Sequence, residues 1–531
     1  MLHTTQATRG MAVAPHSLAA QAALAILRDG GNAIEAMVAA ASTIAIVYPH
    51  MNGIGGDGFW VISDPGQPVV AIEACGPAAA GVSCEFYLDR GMNEIPMRGP
   101  LSANTVAGTV SGWQQALGIS TRWGGKLPLA RLLEDAIHYA ENGIPVTVSQ
   151  YANTTMKLEG LVSQPGFADA FLVDGHAPAA GSLFKQERLG KTLRILASDG
   201  LDSFYRGRLA EAIATDLAQL GIPLTRNDLT GYQARTRTPL HLRHSLGDLY
   251  NMTPPTQGLV SLIILGLLDR INIGQYAPDS VEYIHFVVEA TKQAFRIRDQ
   301  YITDPDYMAI DPQACLSDEF LEPYVAAIRQ DTALPWGHGK GPGDTIWMGV
   351  IDNEGRAVSF IQSIYHEFGS GVVLPRTGIC WQNRGCSFSL DAQHLNALMP
   401  QKKPFHTLNP ALVRFKDGRT MVYGTMGGDG QPQTQAAIFT RYAVFGQQVQ
   451  QAVTAPRWLL GRTWGQTSET LKLESRFSPE IIDGLRQLGH DVEVIGEFDE
   501  TVGHAGAIVH YPSGIFEGGF DPRSNGVASG F

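Results

Sequence analysis

Apolar residues near the start of the chain repeat at helical spacing. Residues 16–29 follow this spacing and end at Gly30-Gly31, which predicts a helix and its stop. A second, alanine-rich helix is predicted from Asn32 to about Val47, and it is apolar on nearly every side. A helix of this kind is buried, so the pair is predicted to pack against other elements of a large core.

The middle of the chain continues mainly in helical patterns and contains a predicted pair of strands. The strands are expected over residues 238–242 and 248–252, around a Ser-Leu-Gly turn. The helices are predicted over residues 110–121, 127–142, 188–198, 205–220, 257–271 and 281–301.

The texture changes to β-rich after residue 345. Strands are predicted over residues 348–352, 357–363, 411–415, 420–423, 471–474, 491–495 and 507–511, with helices over 433–445 and 478–488. Helices, strands, strands and helices in this order fit two packed sheets that are covered on both outer faces.

A glycine- and proline-rich segment, residues 329–343, separates these two halves. Its composition predicts an exposed loop, the kind of segment in which a backbone cut does least damage. Asp344-Thr345-Ile346-Trp347 follows at once. A threonine hydroxyl needs a base to act as a nucleophile, and a cut before Thr345 would supply one as its own α-amine, with a pKa of about 7.7 to 8.0. The alternative is an ordinary strand threonine.

Residues 53–58 form a literal G-x-G-x-x-G pattern. A dinucleotide site needs a strand before these glycines and a helix after them, whereas here a helix precedes and a strand over residues 59–63 follows. The glycines are therefore predicted to let backbone segments pack closely or to line a cavity.

The composition of the chain limits which classes of binding partner are expected. The 531 residues carry a net charge of −12 without a basic patch, so neither nucleic acid nor a membrane is expected as a partner. Five cysteines, odd in number and without zinc-site spacing, predict free thiols in a reducing compartment. With no export signal at the start, a cytoplasmic enzyme is expected, and no metal or cofactor is predicted.

Several motifs stand together in one order along nearly the whole chain, and through them the chain resembles the gamma-glutamyltransferase family of N-terminal nucleophile hydrolases. The resemblance implies a four-layer αββα sandwich. It also implies self-cleavage into a large, helix-rich subunit of residues 1–344 and a small subunit of residues 345–531, intertwined as one domain. The motifs that carry it are Ala14-Pro15-His16, Gly30-Gly31-Asn32-Ala33, Pro49-His50, Gly53-Ile54-Gly55-Gly56, Asp344-Thr345, Phe368-Gly369-Ser370-Gly371-Val372-Val373, Thr377-Gly378-Ile379, Lys403-Pro404 and Gly427-Gly428.

By family position, the resemblance assigns the chemistry to four residues. Thr345 is the implied nucleophile after the Asp344–Thr345 bond is cut, and Ser363 the implied second hydroxyl that orients it. Gly427 and Gly428 match the oxyanion hole, which uses backbone N–H groups. For Ser363 the alternative is a polar residue that ends a strand, and for the glycines it is a plain turn.

The chain also departs from the family at the positions that hold a glutamate substrate. Glu73 stands where the family has a carboxylate-binding arginine. Tyr365, Arg384 and Ser387 stand where it has groups that bind an ammonium, and His406-Thr407 replaces a Ser-Ser pair. Arg384 should repel an α-amine and attract a carboxylate, with Tyr365, His406 and Thr407 as further substrate contacts. An exposed surface arginine is the alternative.

Within the family, these departures most resemble members that hydrolyse a small carboxylate-bearing amide. The resemblance implies oxamate, an amide joined directly to a carboxylate, as the substrate, with oxalate and ammonia as products. The alternatives are a gamma-glutamyl hydrolase or transferase, a cephalosporin-acylase-like amidase, and an unprocessed binding protein without activity. Beyond the second fragment of the same chain, a homodimer of the cleaved pair is an expected assembly.

Overall fold

The computed structural model describes residues 3–337, 344–461 and 469–531. Most strands are short. They are β1 Thr5–Ala7, β2 Met11–Ala14, β3 Asp57–Ser63, β4 Val70–Ala74, β5 Ile144–Pro145, β6 Leu183–Phe184, β7 Arg235–Arg237, β8 Leu240–His244, β9 Gly247–Asn251, β10 Asp344–Ile351, β11 Ala357–Tyr365, β12 Ala411–Phe415, β13 Thr420–Thr425, β14 Trp458–Leu460, β15 Leu471–Glu474, β16 Val492–Ile495, β17 Ala505–His510, β18 Phe516–Phe520 and β19 Val527–Gly530.

The helices range from single turns to the 21 residues of the longest one. They are α1 Ser17–Arg28, α2 Ala33–Val47, α3 Cys84–Leu88, α4 Thr109–Arg122, α5 Leu129–Leu132, α6 Glu134–Asn142, α7 Val148–Leu161, α8 Phe167–Phe171, α9 Glu187–Asp199, α10 Arg208–Gln219, α11 Arg226–Thr230, α12 Gly258–Ile271, α13 Val281–Tyr301, α14 Asp318–Ala327, α15 Gly430–Phe439, α16 Val449–Thr454 and α17 Pro479–Gln487.

Two seven-stranded sheets form the centre of the molecule. The first sheet has the order β1-β18-β17-β13-β12-β9-β8, and the second has the order β19-β2-β10-β11-β3-β4-β7. Neighbouring strands within both sheets are antiparallel. Each sheet combines strands from before and after Thr345, so the two halves of the chain are interleaved.

Three apolar layers hold the sheets and helices together. Helices α1 and α2 pack on the outer face of the second sheet, where Met348 and Val350 point. Helices α12 and α15 cover the outer face of the first sheet. Between the sheets lies a third layer that includes Trp347, Ile361 and Val422. The predicted four-layer αββα sandwich is confirmed.

Local sequence signals explain the best-predicted elements. The side chain of Asn32 accepts from the backbone N–H groups of Ile34 and Glu35, and Glu35 accepts from the N–H of Asn32, so a capping box starts α2. The predicted helix over 127–142 is instead two helices, α5 and α6, which meet at Leu133. None of the helices in the described ranges combines the length and apolarity needed to cross a membrane.

The segment before Thr345 is only partly described. Residues 329–337 lie outside helices and strands, mostly exposed or half-buried, as predicted for a loop. Residues 338–343, which complete the predicted loop, lie outside the described residues. Strand β10 begins at Asp344, four residues earlier than the predicted strand.

Candidate functional site

Thr345 lies at an irregularity in the second sheet. On β10, Asp344 pairs with Tyr365 and Ile346 pairs with Gln362, so Thr345 alone faces the two residues Ser363 and Ile364 of β11. This is a β-bulge, a device that re-aims side chains next to active sites. Thr345 is buried, and no described residue hydrogen-bonds its hydroxyl.

The neighbouring strands show which face carries Thr345. Trp347, two residues further along β10, packs in the layer between the sheets and donates its Nε1–H to Ser359 of β11 at 3.0 Å. Because alternate residues of a strand share a face, Thr345 lies on the inner face of the second sheet. A Cβ on Gly424 of β13 would lie 2.3 Å from Trp347 Cδ1, so the end of β13 closely covers the start of β10.

Ser363 is held in place by its backbone surroundings. A Cβ on Gly56 would lie 2.0 Å from the Ser363 carbonyl oxygen, so only a glycine allows this approach. The N–H of Tyr365 donates to Ser363 Oγ at 2.8 Å, and Ser363 is paired with Asp57 of β3. The prediction that the glycines of residues 53–58 let the backbone pack closely is confirmed.

Gly427 and Gly428 form the turn between β13 and the start of α15. Their φ angles are +114° and +52°, a backbone conformation that favours glycine. Their carbonyl oxygens are used: Gly430 N–H donates to Gly427 at 2.8 Å, and Gln257 Nε2 donates to Gly428 at 2.7 Å. Among the described residues, no group accepts a hydrogen bond from either glycine N–H. Two such donors beside a helix N-terminus suit a developing negative charge.

Arg384 is 1% exposed, which excludes the alternative of an exposed surface arginine. Its guanidinium carbon lies 3.7 Å from the centre of the Tyr365 ring, so the two planes are in contact. None of its three side-chain nitrogens has a hydrogen-bond partner in the described chain. Burial lowers the pKa of Arg384 from its ordinary value. A buried cation without a partner is costly, so a bound anionic ligand would stabilise it.

Two further groups, Asp57 and His406, are electrostatically coupled to this cation, whose charge acts to lower the pKa of each. Asp57 Oδ2 lies 3.4 Å from His406 Nε2, and His406 is completely buried with neither ring nitrogen hydrogen-bonded in the described part of the chain. Burial raises the pKa of Asp57 to about 7, against the opposing effect of Arg384. The pKa of His406 is lowered well below its usual range, again mainly by burial.

Asp57 was not predicted as a site residue. It stands in the glycine-rich stretch of residues 53–58, whose glycines were predicted only to let backbone segments pack closely or to line a cavity. The available signal was an acidic residue between Gly56 and Gly58 at the start of a mostly apolar strand, where burial leaves no solvent around its charge.

Gln257 joins the His406-Thr407 segment to the glycine turn. Its side-chain amide donates to the Thr407 carbonyl at 2.9 Å as well as to that of Gly428. The Thr407 hydroxyl is buried and has no partner among the described residues. Thr407 and Tyr365 also lie in the wall of one cavity of about 500 Å³, with Ser387, Phe405 and Asp429. Thr345 and Arg384 are not in that wall.

Glu73, at the position of the family arginine, serves a different purpose. Its carboxylate lies 3.0 Å from Lys403 Nζ and 3.3 Å from Arg237 Nε, so it is paired with protein cations. The structure therefore places Glu73 in an ion-pair cluster beside the site.

The described residues include one group that could hold a metal ion, His285, Glu289 and His490. Its atoms are already engaged with protein. His285 Nδ1 is 2.8 Å from His490 Nε2, and Glu289 is 2.7 Å from Lys292 Nζ. It lies on and near α13, apart from the residues described above.

Comparison with known proteins identifies the family. The family described as Gamma-glutamyltranspeptidase matches residues 19–531. An oxamate amidohydrolase proenzyme from Klebsiella pneumoniae subsp. pneumoniae is 61% identical over 525 residues, covering 99% of both chains. A glutathione hydrolase-like YwrD proenzyme from Bacillus subtilis is 41% identical over 524 residues, covering 98% of both.

Solved structures agree with the sequence comparisons. The cephalosporin acylase from Bacillus halodurans superposes with a TM-score of 0.90 at 32% identity, covering 100% of this chain and 97% of that one. The resemblance read from the motifs is thereby confirmed. The chain belongs to the gamma-glutamyltranspeptidase family and is an amidohydrolase.

Proposed function

We propose that the chain cuts itself between Asp344 and Thr345 and then hydrolyses small amides with Thr345 as nucleophile. The cut would give a large piece of residues 1–344 and a small piece of residues 345–531. Both sheets contain strands from both pieces, which supports a processed enzyme that stays assembled. The relatives from Klebsiella pneumoniae and Bacillus subtilis named above are both described as proenzymes, which supports processing.

The proposed reaction follows from the groups near Thr345. Its freed α-amine takes the hydroxyl proton while Oγ attacks the amide carbon. The N–H groups of Gly427 and Gly428 donate hydrogen bonds to the carbonyl oxygen and stabilise the negative charge that develops on it. The amine then passes the proton to the leaving nitrogen, ammonia departs, and water opens the acyl-threonine ester by the same sequence. Ser363, across the bulge, orients Oγ and shares its proton.

The proposed substrate is oxamate, and one observation carries this choice. Arg384 is buried against Tyr365, and none of its side-chain nitrogens has a hydrogen-bond partner in the described parts of the chain. A guanidinium binds a carboxylate through two parallel hydrogen bonds. It would repel the α-amine of a glutamyl group. The relative from Klebsiella pneumoniae is named for oxamate, which supports the same choice.

Ammonia release tests this proposal directly. Purified, cleaved enzyme is given oxamate, glutaramate and a γ-glutamyl anilide under the same conditions, with aniline release followed for the last. We expect turnover of oxamate far above the other two. Ammonia from glutaramate, or aniline from the anilide, without ammonia from oxamate would overturn the proposed substrate.

A second candidate is an acylase that accepts longer acyl groups. The cavity of about 500 Å³ beside Tyr365 and Thr407 is much larger than oxamate needs, and this observation favours it. The similarity to a cephalosporin acylase points the same way. Preference for glutaramate in the same panel would select this candidate.

We place the enzyme in the cytoplasm because Cys75, Cys84, Cys315, Cys380 and Cys386 are all free thiols. A homodimer of the cleaved pair stays a prediction, as does the absence of metal and cofactor.

A further inference from the structure

The Asp57 carboxylate is held in one orientation by two backbone groups. Its Oδ1 accepts from the N–H of Gly76 at 3.2 Å and of Gly108 at 3.0 Å. Both donors are glycines with no room for a side chain: a Cβ on Gly76 would lie 1.9 Å from the Val106 carbonyl oxygen, and one on Gly108 would lie 2.2 Å from that of Ala74. Because Oδ1 is fixed, Oδ2 is turned toward His406.

Asp57 and Arg384 attract each other without contact. Each charge shifts the pKa of the other group, yet no oxygen of Asp57 lies within 4.0 Å of an Arg384 nitrogen in the described chain. By distance and angle, Asp57 Oδ2 has no hydrogen-bond partner among the described residues, although the nearby Gln382 side chain lowers the pKa of Asp57. The nitrogens of Arg384 and His406 have no hydrogen-bond partner there either. A substrate carboxylate placed between Arg384 and Asp57 would accept hydrogen bonds from the Arg384 guanidinium. It would also be repelled by the ionised Asp57 carboxylate.

The other groups near Asp57 do not relieve this conflict. Cys75 is a buried thiol whose pKa burial raises well above its usual value, so it stays neutral. The phenols Tyr205 and Tyr232 have raised pKa values for the same reason. Glu73 and Lys403 compensate each other at 3.0 Å. Ser363, the neighbour of Asp57 on β11, carries no charge. Arg384 is thus the principal cation near Asp57, and it would have to serve both Asp57 and a bound substrate carboxylate.

We propose that Asp57 takes up one proton from solvent when a substrate carboxylate binds Arg384, and that its Oδ2 then donates a hydrogen bond to that carboxylate. The inference rests on the proposed function, since it concerns the same carboxylate. Two ionised carboxylates beside one cation repel each other, and this repulsion costs free energy. A proton shared between them replaces the repulsion with a hydrogen bond. Asp57 would then be a specificity-determining residue that admits a monoanionic group at Arg384.

The sign of the pH effect follows from the pKa of Asp57. With a pKa of about 7, Asp57 is protonated below that pH, and carboxylate binding then needs no proton uptake. Above it Asp57 is ionised and must be protonated on binding, so affinity falls about tenfold for each pH unit. Asp57→Asn imitates the protonated form and removes this dependence.

Calorimetric titration with oxalate tests the proposal on cleaved enzyme. Oxalate does not titrate above about pH 6, because carboxyl pKa values lie near 4. Titrations near pH 8 in two buffers of different ionisation enthalpy count the protons taken up. The Thr345 α-amine also titrates there, so the comparison is between proteins: Asp57→Asn should take up about one proton fewer than wild type. Asp352→Asn, which removes a remote buried carboxyl whose pKa burial raises to about 6, should match wild type.

Equal proton uptake and equal pH dependence in wild type and Asp57→Asn would overturn the inference while leaving the proposed function intact. Absence of oxalate binding by wild type would overturn the inference alone if the same protein releases ammonia from oxamate, and would overturn both if it does not. If Asp57→Asn does not fold, infrared difference spectra of wild type with oxalate decide the matter. The spectra should gain a protonated carboxyl band, and no such band would contradict the inference.

Discussion

Thr345 on β10 faces Ser363 on β11 across a bulge in which one residue of the first strand is opposite two of the second. The bulge ends the regular pairing of these strands at the bond that is proposed to be cut. Both residues are buried. The end of β13, which leads into the Gly427-Gly428 turn, covers the start of β10, since a Cβ on Gly424 would lie 2.3 Å from Trp347 Cδ1. Among the described residues, the Thr345 hydroxyl and the N–H groups of Gly427 and Gly428 have no hydrogen-bond partner.

Thr345→Ala should remain a single chain and show no activity, because it lacks the oxygen that attacks the Asp344 carbonyl. Thr345→Ser keeps that oxygen and should still be cut, at a lower rate. Denaturing mass spectrometry of fresh protein measures both. Two fragments from Thr345→Ala would show that another residue performs the cut.

Ser363→Ala should slow oxamate turnover by about 100-fold or more, the lower end of what a positioned proton-transfer group contributes. Ser359→Ala is the matched control, since Ser359 lies four residues earlier on the same strand and accepts from Trp347. The control should lose stability but little turnover in the processed enzyme. Comparable kcat losses in both variants would remove the special role of Ser363.

Gly427→Ala should lower kcat by about 100- to 1,000-fold through displacement of an oxyanion donor, with a smaller effect on KM. The replacement also strains a backbone with φ +114°, so a control must share that strain. Gly446→Ala does so at φ +68° in open space. Steady-state kinetics of both variants separates the two causes. Equal losses would mean that strain alone explains the effect.

The sequence predicted the layered fold because periodicity and turn residues determine it locally. The predicted bounds of α13 and β12 match the structure residue for residue. The edge strands β1, β7 and β19 were missed, since three or four residues carry no readable alternation. Such strands form because a neighbouring strand offers hydrogen bonds, which no local pattern reports.

The candidate site divides in the same way. Thr345 and Gly427-Gly428 were predicted because short motifs carry them. The burial of Arg384 against Tyr365 could not be predicted, because it depends on contacts between separate segments. Asp57 was missed since the reason for its burial, two glycine N–H groups from distant loops, is visible only in the fold.

Arg384→Lys should raise KM for oxamate by roughly 10- to 100-fold, because hydrogen bonds to a charged group contribute about 1.5 to 3 kcal/mol. Lysine keeps the charge but loses the two-point geometry. Arg376→Lys, an exposed arginine paired with Asp216, serves as the control and should leave KM unchanged. An unchanged KM for Arg384→Lys would place the substrate carboxylate elsewhere.

Asp57→Asn should make the protein more stable than wild type at pH 8, with the difference vanishing below about pH 4. The folded-state pKa of about 7 lies above the unfolded value of 3.8, so between these pH values the folded protein holds a proton that the unfolded chain has lost. The stability of wild type therefore falls as pH rises from about 4 to about 7. At about 1.4 kcal/mol per pKa unit, the advantage approaches ~4 kcal/mol. Urea unfolding at several pH values measures it. A pH-independent difference would contradict the assigned burial of this charge.

Thr345 is proposed to become the N-terminal nucleophile and to carry the acyl group of oxamate. Acid quenching during oxamate turnover, followed by mass spectrometry of the denatured protein, would trap that acyl group. Two fragments that meet at Asp344 and Thr345 are expected, with a fraction of the smaller fragment heavier by one oxalyl group on Thr345. An intact chain that still turns over oxamate, or an oxalyl group on any other residue, would contradict it.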